Sequence, residues 1–153
     1  MNIATGSDHA GYDLKLLINK EIEDMGHIVI DVGAYNCEPS DYPDFARALG
    51  EKIIGGGADR GVLICGSGIG AVVAANKITG IRAGNCSDTY SAHQGVEHDD
   101  MNVLVMGSRI IGVEVAKELV KAFLGAQFSE EARHIRRLNK VLAIEHHYMG
   151  RPL

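Results

Sequence analysis

The chain lacks an excess of positive charge. Fifteen Lys and Arg stand against 20 Asp and Glu, a formal net charge of −5 over 153 residues. General nucleic-acid binding needs a basic field, so no nucleic-acid partner is expected, although a local basic patch for a small anion is still allowed. No apolar run approaches the roughly 18 residues of a spanning helix, so no membrane partner is expected either. The opening MNIATGSDHAG has neither a basic start nor a long apolar stretch. A signal peptide is therefore not expected. Cysteine is scarce, and Cys37, Cys65 and Cys86 are scattered and odd in number. They form neither a disulfide framework nor a zinc spacing, which points to a reducing, cytoplasmic location. Internal repeats, low-complexity runs and linkers are missing too. At 46% apolar and 23% charged, residues 1–153 read as one soluble domain.

Glycine is abundant, at 19 of 153 residues, or about 12% against a usual value near 7%. Short Ile- and Val-rich runs occupy Asn2 to Thr5, His27 to Val32, Gly61 to Cys65, Ile81 to Cys86 and Asn102 to Met106. Several lack polar alternation, as strands buried on both faces do. Between them lie amphipathic patterns at helical spacing. One comprises Leu14, Leu17, Ile18, Ile22 and Met25, and another Val113, Ala116, Val120 and Phe123. Strands alternating with helices predict an α/β fold, a five-stranded parallel sheet covered on both faces. In such sheets the strand C-termini share one edge, where ligands bind. His9, Cys65 and Arg109 should therefore lie in one region.

The loop Cys65-Gly66-Ser67-Gly68-Ile69-Gly70 precedes a helix former, Ala71 to Asn76. Its glycines allow a tight turn, and the N–H groups of the new helix favour negative charge. An anion is the expected ligand, either a phosphate or an oxyanion formed in a reaction. The loop is not a P-loop, because no Gly-Lys-Ser/Thr follows. Cys65 at its start is expected to have its thiolate favoured, and a thiolate serves as base or nucleophile. An inert buried thiol fits that position equally well. Cys86 has no glycine loop after it and looks inert. Cys37 looks like a loop residue.

His98 sits in Glu97-His98-Asp99-Asp100, just before the fifth run. A histidine there can move a proton near neutral pH. Adjacent side chains rarely converge on one ion, so no metal is expected. Farther along, Arg133, Arg136, Arg137 and Lys140 share one sector of a helix at about 100° per residue, with Ile135, Leu138 and Leu142 opposite. Arg133 and Arg137 are spaced to clamp a phosphate.

Taken together, these motifs give the chain a resemblance to the type B ribose-5-phosphate isomerases, a family that also holds the galactose-6-phosphate isomerase subunits. The resemblance spans nearly the whole chain. It is carried by Gly6 to Gly11, Asp41-Tyr42-Pro43-Asp44, Ile64 to Gly70, Ala74-Ala75-Asn76-Lys77, Gly80 to Ala83, Gly107-Ser108-Arg109, and Arg133 with Arg137. It implies a Rossmann-like three-layer α/β/α sandwich and a cofactor-free aldose–ketose isomerase acting on ribose 5-phosphate and ribulose 5-phosphate. By that resemblance, Cys65 is the base between C1 and C2. Ser67, with the N–H groups of Gly66, Gly68, Ile69 and Gly70, faces the enediolate. His98 of a neighbouring subunit opens the furanose ring, and Asp99 lies beside it. Asp8 and His9 contact the substrate, and Arg109 holds its phosphate with a partner's Arg133 and Arg137. A dimer or tetramer with the site at its interface follows, the C-terminal helix (about 129–148) reaching the partner. Many members have Asn where this chain has Asp99, and Thr where it has Ser67.

Other phosphosugars, such as allose 6-phosphate, galactose 6-phosphate or a tetrose phosphate, are alternative substrates on the same scaffold. A non-catalytic phosphosugar-binding module is a different reading of the same fold. A cysteine hydrolase would need Cys65 and His98 hydrogen-bonded to each other.

Overall fold

The Ile- and Val-rich runs form β1 (Asn2–Ser7), β2 (Ile28–Asp31), β3 (Arg60–Cys65), β4 (Ala83–Asn85) and β5 (Val103–Gly107). They pair in parallel in the order β2-β1-β3-β5-β4. The computed structural model describes residues 1–148. The end of the expected 1–153 domain lies outside the described residues. The helices are α1 (Tyr12–Asp24), α2 (Tyr42–Ile54), α3 (Ile69–Ala75), α4 (Thr89–Asp99), α5 (Val113–Gly125) and α6 (Ala132–Tyr148).

Successive strand residues face opposite sides of a sheet. In β3, Val62 and Ile64 join the core beneath α1, α4 and α5, while Leu63 and Cys65 join the core beneath α2 and α3. β5 divides in the same way, with Leu104 and Met106 on the first side and Val103 and Val105 on the second. These two central strands are apolar on both faces because both faces are covered. The result is the expected three-layer Rossmann-like α/β fold. Among the described residues, no helix is long and apolar enough to cross a membrane.

Four local expectations need correction. The fourth strand is only Ala83–Asn85, not Ile81 to Cys86. Arg82 gives its N–H to Asn102 Oδ1 at 2.8 Å and its guanidinium to Asp100, so it leaves the ladder. His27 precedes β2, because its N–H closes the end of α1 on Ile22 O. Leu17 is exposed, and Lys15 is buried instead, with its ammonium 2.6 Å from both Asp31 Oδ1 and Ala34 O. Val113 is exposed at the start of α5, whereas Ala116, Val120 and Phe123 are buried. Helix α2, unmarked by the periodicity, starts at Tyr42-Pro43, and proline is at home in a first turn.

Helix α6 differs from the rest. Of its 17 residues only His134 is buried. Its apolar side chains Ile135, Val141, Leu142, Ile144 and Tyr148 are exposed.

Candidate active site

β1 connects to β2 on one side and is flanked by β3 on the other. Such a reversal opens a crevice beyond the strand C-termini. A cleft of about 380 Å³ lies there, lined by Asp8 and His9 after β1, Cys65 to Ser67 and Gly70 after β3, and Arg109 and Ile110 after β5. The sequence had grouped His9, Cys65 and Arg109 at one sheet edge, and the structure places all three in this cleft.

Backbone hydrogen bonds join the three loops. Ser108 N–H donates to Cys65 O at 2.8 Å, and Arg109 N–H to Gly66 O at 3.0 Å. Asp8 N–H donates to Ile64 O, and Ser108 Oγ–H to Ala10 O at 2.7 Å. The buried Asp8 accepts the N–H groups of Ala10 and Gly11 on Oδ1, both at 3.0 Å. One of its oxygens therefore shapes the turn that presents His9. The loop before α2 pins His9 in turn: His9 N–H donates to Ser40 Oγ, and Ser40 N–H donates to His9 Nδ1 at 3.1 Å. Gly11 lets α1 approach β3 closely, since a Cβ there would stand 2.5 Å from Ile64 O.

Cys65 is buried, with its side chain on the α2/α3 side of the sheet. Gly68 donates its N–H to Sγ at 3.1 Å, so a backbone donor fixes the sulfur. Gly68 has φ +83°, in the left-handed region that glycine favours. Ile69 N–H donates to Ser67 Oγ at 3.2 Å. Two of the loop's N–H groups are thus used inside the loop, and Ile69 itself points to solvent. A Cβ on Gly66 would touch the Arg109 side chain at 3.6 Å, so that guanidinium lies across the glycine loop. Cys86 is a different thiol. Burial, and then Asp88, push it up to about 11. Cys37 is exposed.

His98, Asp99, Arg133 and Arg137 do not line this cleft. His98 stands in the last turn of α4, with Nδ1 2.7 Å from Gln94 Nε2. Its ring packs on that of His134, with centroids 4.0 Å apart and planes at 30°. Burial, and then the His98 ring and the Arg133 guanidinium, hold the pKa of His134 below the usual imidazole value. Arg133 is exposed and paired with Glu131 at 2.8 Å. Arg136, Arg137 and Lys140 are exposed on the same helix. Asp99 lines a larger hollow of about 690 Å³ between the β4 edge and α6. Its walls include Arg82, Cys86, Met101, Leu138 and Leu142, and no histidine joins that thiol and arginine there. Glu145 accepts Gly80 N–H at 3.0 Å beside that hollow. This gives the start of the tail Glu145 to Leu153 a role, while residues 149–153 of it lie outside the described residues.

The sequence reading overlooked Tyr42 and His134 as site residues. Tyr42 lines the cleft, and its ring covers Gly70, where an added Cβ would stand 2.7 Å away. Its place at a helix start, directly after the loop that pins His9, was the available signal. His134 lies on the helical wheel between the cationic and apolar sectors. That boundary is where a helix edge meets its own domain.

The sequence model of the ribose/galactose isomerase family matches residues 3–141. Ribose-5-phosphate isomerase B of Escherichia coli (strain K12) is 47% identical over 143 residues, covering 94% of this chain and 95% of that protein. D-erythrulose-4-phosphate isomerase 2 of Mycolicibacterium smegmatis is 39% identical over 148 residues, covering 95% and 97%. Among solved structures, ribose-5-phosphate isomerase B of Clostridium thermocellum has a TM-score of 0.94 at 42% identity, covering 97% of this chain and 99% of that one. With a match over almost its whole length, the chain belongs to the ribose/galactose isomerase family and is a sugar-phosphate isomerase.

Proposed function

We propose that the protein interconverts ribose 5-phosphate and ribulose 5-phosphate, a step of the pentose phosphate pathway in a reducing cytoplasm. The observation that carries this reading is the convergence of Cys65, Ser67, His9 and Arg109 on one cleft at the sheet edge. The likeness to two type B ribose-5-phosphate isomerases supports it.

The substrate arrives mainly as a closed ring. Opening breaks the bond from C1 to the ring oxygen. That oxygen gains a proton, the C1 hydroxyl loses one, and an aldehyde forms. His98 of a partner subunit handles these protons. Cys65 thiolate then takes the proton from C2, and the electron pair forms a C1–C2 double bond with negative charge on O1. A C–H beside a carbonyl is weakly acidic, so fixed donors must hold that charge. Ser67 Oγ serves it, together with the N–H groups of Gly66 and Gly70, since those of Gly68 and Ile69 are held by Cys65 Sγ and Ser67 Oγ. The thiol returns the proton to C1, while the O2 proton passes to O1 and C2 becomes the carbonyl. Asp8, His9 and Asp99 contact the sugar hydroxyls. Arg109 meets the phosphate from one chain, and Arg133 and Arg137 meet it from the other.

A homo-oligomer, at least a dimer, follows from this reading. Its support is the placement of His98, Arg133 and Arg137 outside their own chain's cleft, together with the uncovered apolar residues of α6. No metal or cofactor takes part in the steps proposed.

The test is incubation of purified oligomer with ribose 5-phosphate in deuterated water. The expected result is ribulose 5-phosphate carrying solvent deuterium at C1. A folded oligomer that converts nothing defeats the reading. A tetrose phosphate is the second reading, favoured by the 39% identity to D-erythrulose-4-phosphate isomerase 2. Ranking kcat/KM for four-, five- and six-carbon phosphosugars separates the two.

A further inference from the structure

We propose that His134 is a positioning residue, its ring holding the His98 imidazole in the orientation from which His98 opens the sugar ring. The proposal rests on the ring-opening role given to His98 above.

Two constraints fix an imidazole: a hydrogen bond on one nitrogen, and a surface against its face. Gln94, one turn earlier on α4, supplies the first at 2.7 Å from Nδ1. An amide nitrogen only donates, so with this amide orientation Nδ1 accepts and the ring proton is on Nε2. Glu97 Oε2 lies 3.8 Å from Nε2, too far for a hydrogen bond, so Nε2 is left to act on a ligand. The second constraint comes from α6. His134 packs its ring on that of His98 at 4.0 Å and 30°.

The support is itself anchored to α4. His134 Nδ1 lies 2.6 Å from Ser129 Oγ, and Ser129 donates its N–H to Glu97 O at 3.0 Å. Glu97 is the residue before His98, so the brace and the braced ring share one short stretch of backbone. His134 is also the only residue that α6 buries among those described. Its Nε2 is buried and has no hydrogen-bond partner among the described residues. Leaving a polar atom so is unfavourable. An apolar side chain would pack there without that penalty, yet the position holds a flat ring matched to the ring above it. His98 on α4, Glu131 in the preceding loop, and Arg133 and Arg137 on α6 are the charged or titratable groups that act on it, and the Glu97 carboxylate stands near the His98 ring. Its own pKa is held down, which keeps the brace neutral beside His98.

Ribulose 5-phosphate provides a discriminating readout. Its O5 is esterified, so the C2 ketone cannot close a five-membered ring, and the molecule enters open. Exchange of its C1 proton with solvent then needs Cys65 but no ring opening. In the intact oligomer, His134→Ala should lower kcat on ribose 5-phosphate by about 10- to 100-fold, less than the roughly 10²- to 10⁴-fold of a lost proton-transfer group because His98 itself remains. KM should stay within about twofold, and C1 exchange from ribulose 5-phosphate within about threefold. His134→Phe, which keeps a flat ring, should recover most of the lost turnover. His98→Asn should show the same split between turnover and exchange.

Equal losses of turnover and exchange in His134→Ala would mean general damage and overturn the proposal. Failure of His134→Phe to recover turnover would mean that a ring nitrogen is needed, which also overturns it. A split for His98→Asn but not for His134→Ala removes the positioning role alone. If His98→Asn shows no split, the ring-opening reading fails and this proposal falls with it.

Discussion

The cleft around Cys65 and the outer face of α6 differ in how much of their polar and apolar surface the chain itself satisfies. In the cleft, loops after three strands are tied together through backbone groups, from Ser108 N–H on Cys65 O to Gly68 N–H on the sulfur. On α6, four cations share one sector, the apolar residues opposite are mostly exposed, and a single side chain is buried. Backbone-anchored atoms lose little further freedom when a reaction begins, which suits a base and its oxyanion donors. An exposed helix with an uncovered apolar stripe suits contact with another chain. The two regions thus teach one lesson. Under the function proposed above, transfer of the carbon-bound proton falls to the prebuilt part, while ring opening and the partner's share of the phosphate grip fall to a part completed by assembly.

The largest expected effect removes the prebuilt part's key atom. Cys65→Ala should lower both turnover and C1 exchange by about 10³-fold or more, near the upper range for a positioned base. Binding of a phosphosugar should survive, as read by calorimetry. Residual turnover within tenfold of the parent protein would move the base elsewhere and dissolve the contrast between the two regions. Cys86→Ala is the matched control and should leave turnover unchanged.

The next test joins the regions across chains. Cys65→Ala and His98→Asn are each expected to be nearly inactive on ribose 5-phosphate. Mixed, dissociated and reassociated, they should regain about a quarter of the parent activity, because half the pairs are mixed and each mixed pair holds one intact site. No regain would place Cys65 and His98 of one chain in one site, and the comparison would lose its second term.

Much of the prebuilt part could be read from the amino-acid order. Glycine, serine and charged residues gather where β1, β3 and β5 end, and parallel strands bring those ends together whatever their order. Cys65 and Arg109 were legible for that reason. The order β2-β1-β3-β5-β4 was not, because pairing partners leave no mark in an Ile- and Val-rich run. The burial of Lys15 was not legible either, since nothing local reveals that Asp31 and Ala34 O await its ammonium. The arginine face of α6 showed in the periodicity. The contact between His134 and His98 did not, because it links residues 36 positions apart through the way two helices meet.

A third prediction strikes the rigidity of the cleft. Gly11→Ala places a methyl group 2.5 Å from Ile64 O, a backbone atom of β3 one residue before Cys65. Strand and helix must part, at about 1–3 kcal/mol of stability. The urea midpoint should fall, and kcat should fall with it because the displaced strand carries Cys65, the base proposed above. On α6 the opposite pattern is expected. Ile144→Asp changes an exposed side chain, so it should weaken association in sedimentation while leaving the thermal stability of each chain within about 0.5 kcal/mol. If Gly11→Ala left the midpoint unchanged, the backbone approach would not be the tight one seen here.

The smallest effect concerns Cys86, which lines the hollow beneath α6 rather than the cleft. Its thiol is pushed up to about 11 by burial and by Asp88, against an ordinary value of 9.0. Between those values the unfolded chain has lost the proton while the folded chain keeps it. Stability must then decline as pH rises from about 9 through about 11, and this contribution is fully present below that window. Urea midpoints measured across the window for the parent protein and Cys86→Ala should diverge at the low end and converge at the high end. Parallel curves would mean that water reaches the thiol freely. The hollow beside α6 would then be as open as the helix face that borders it.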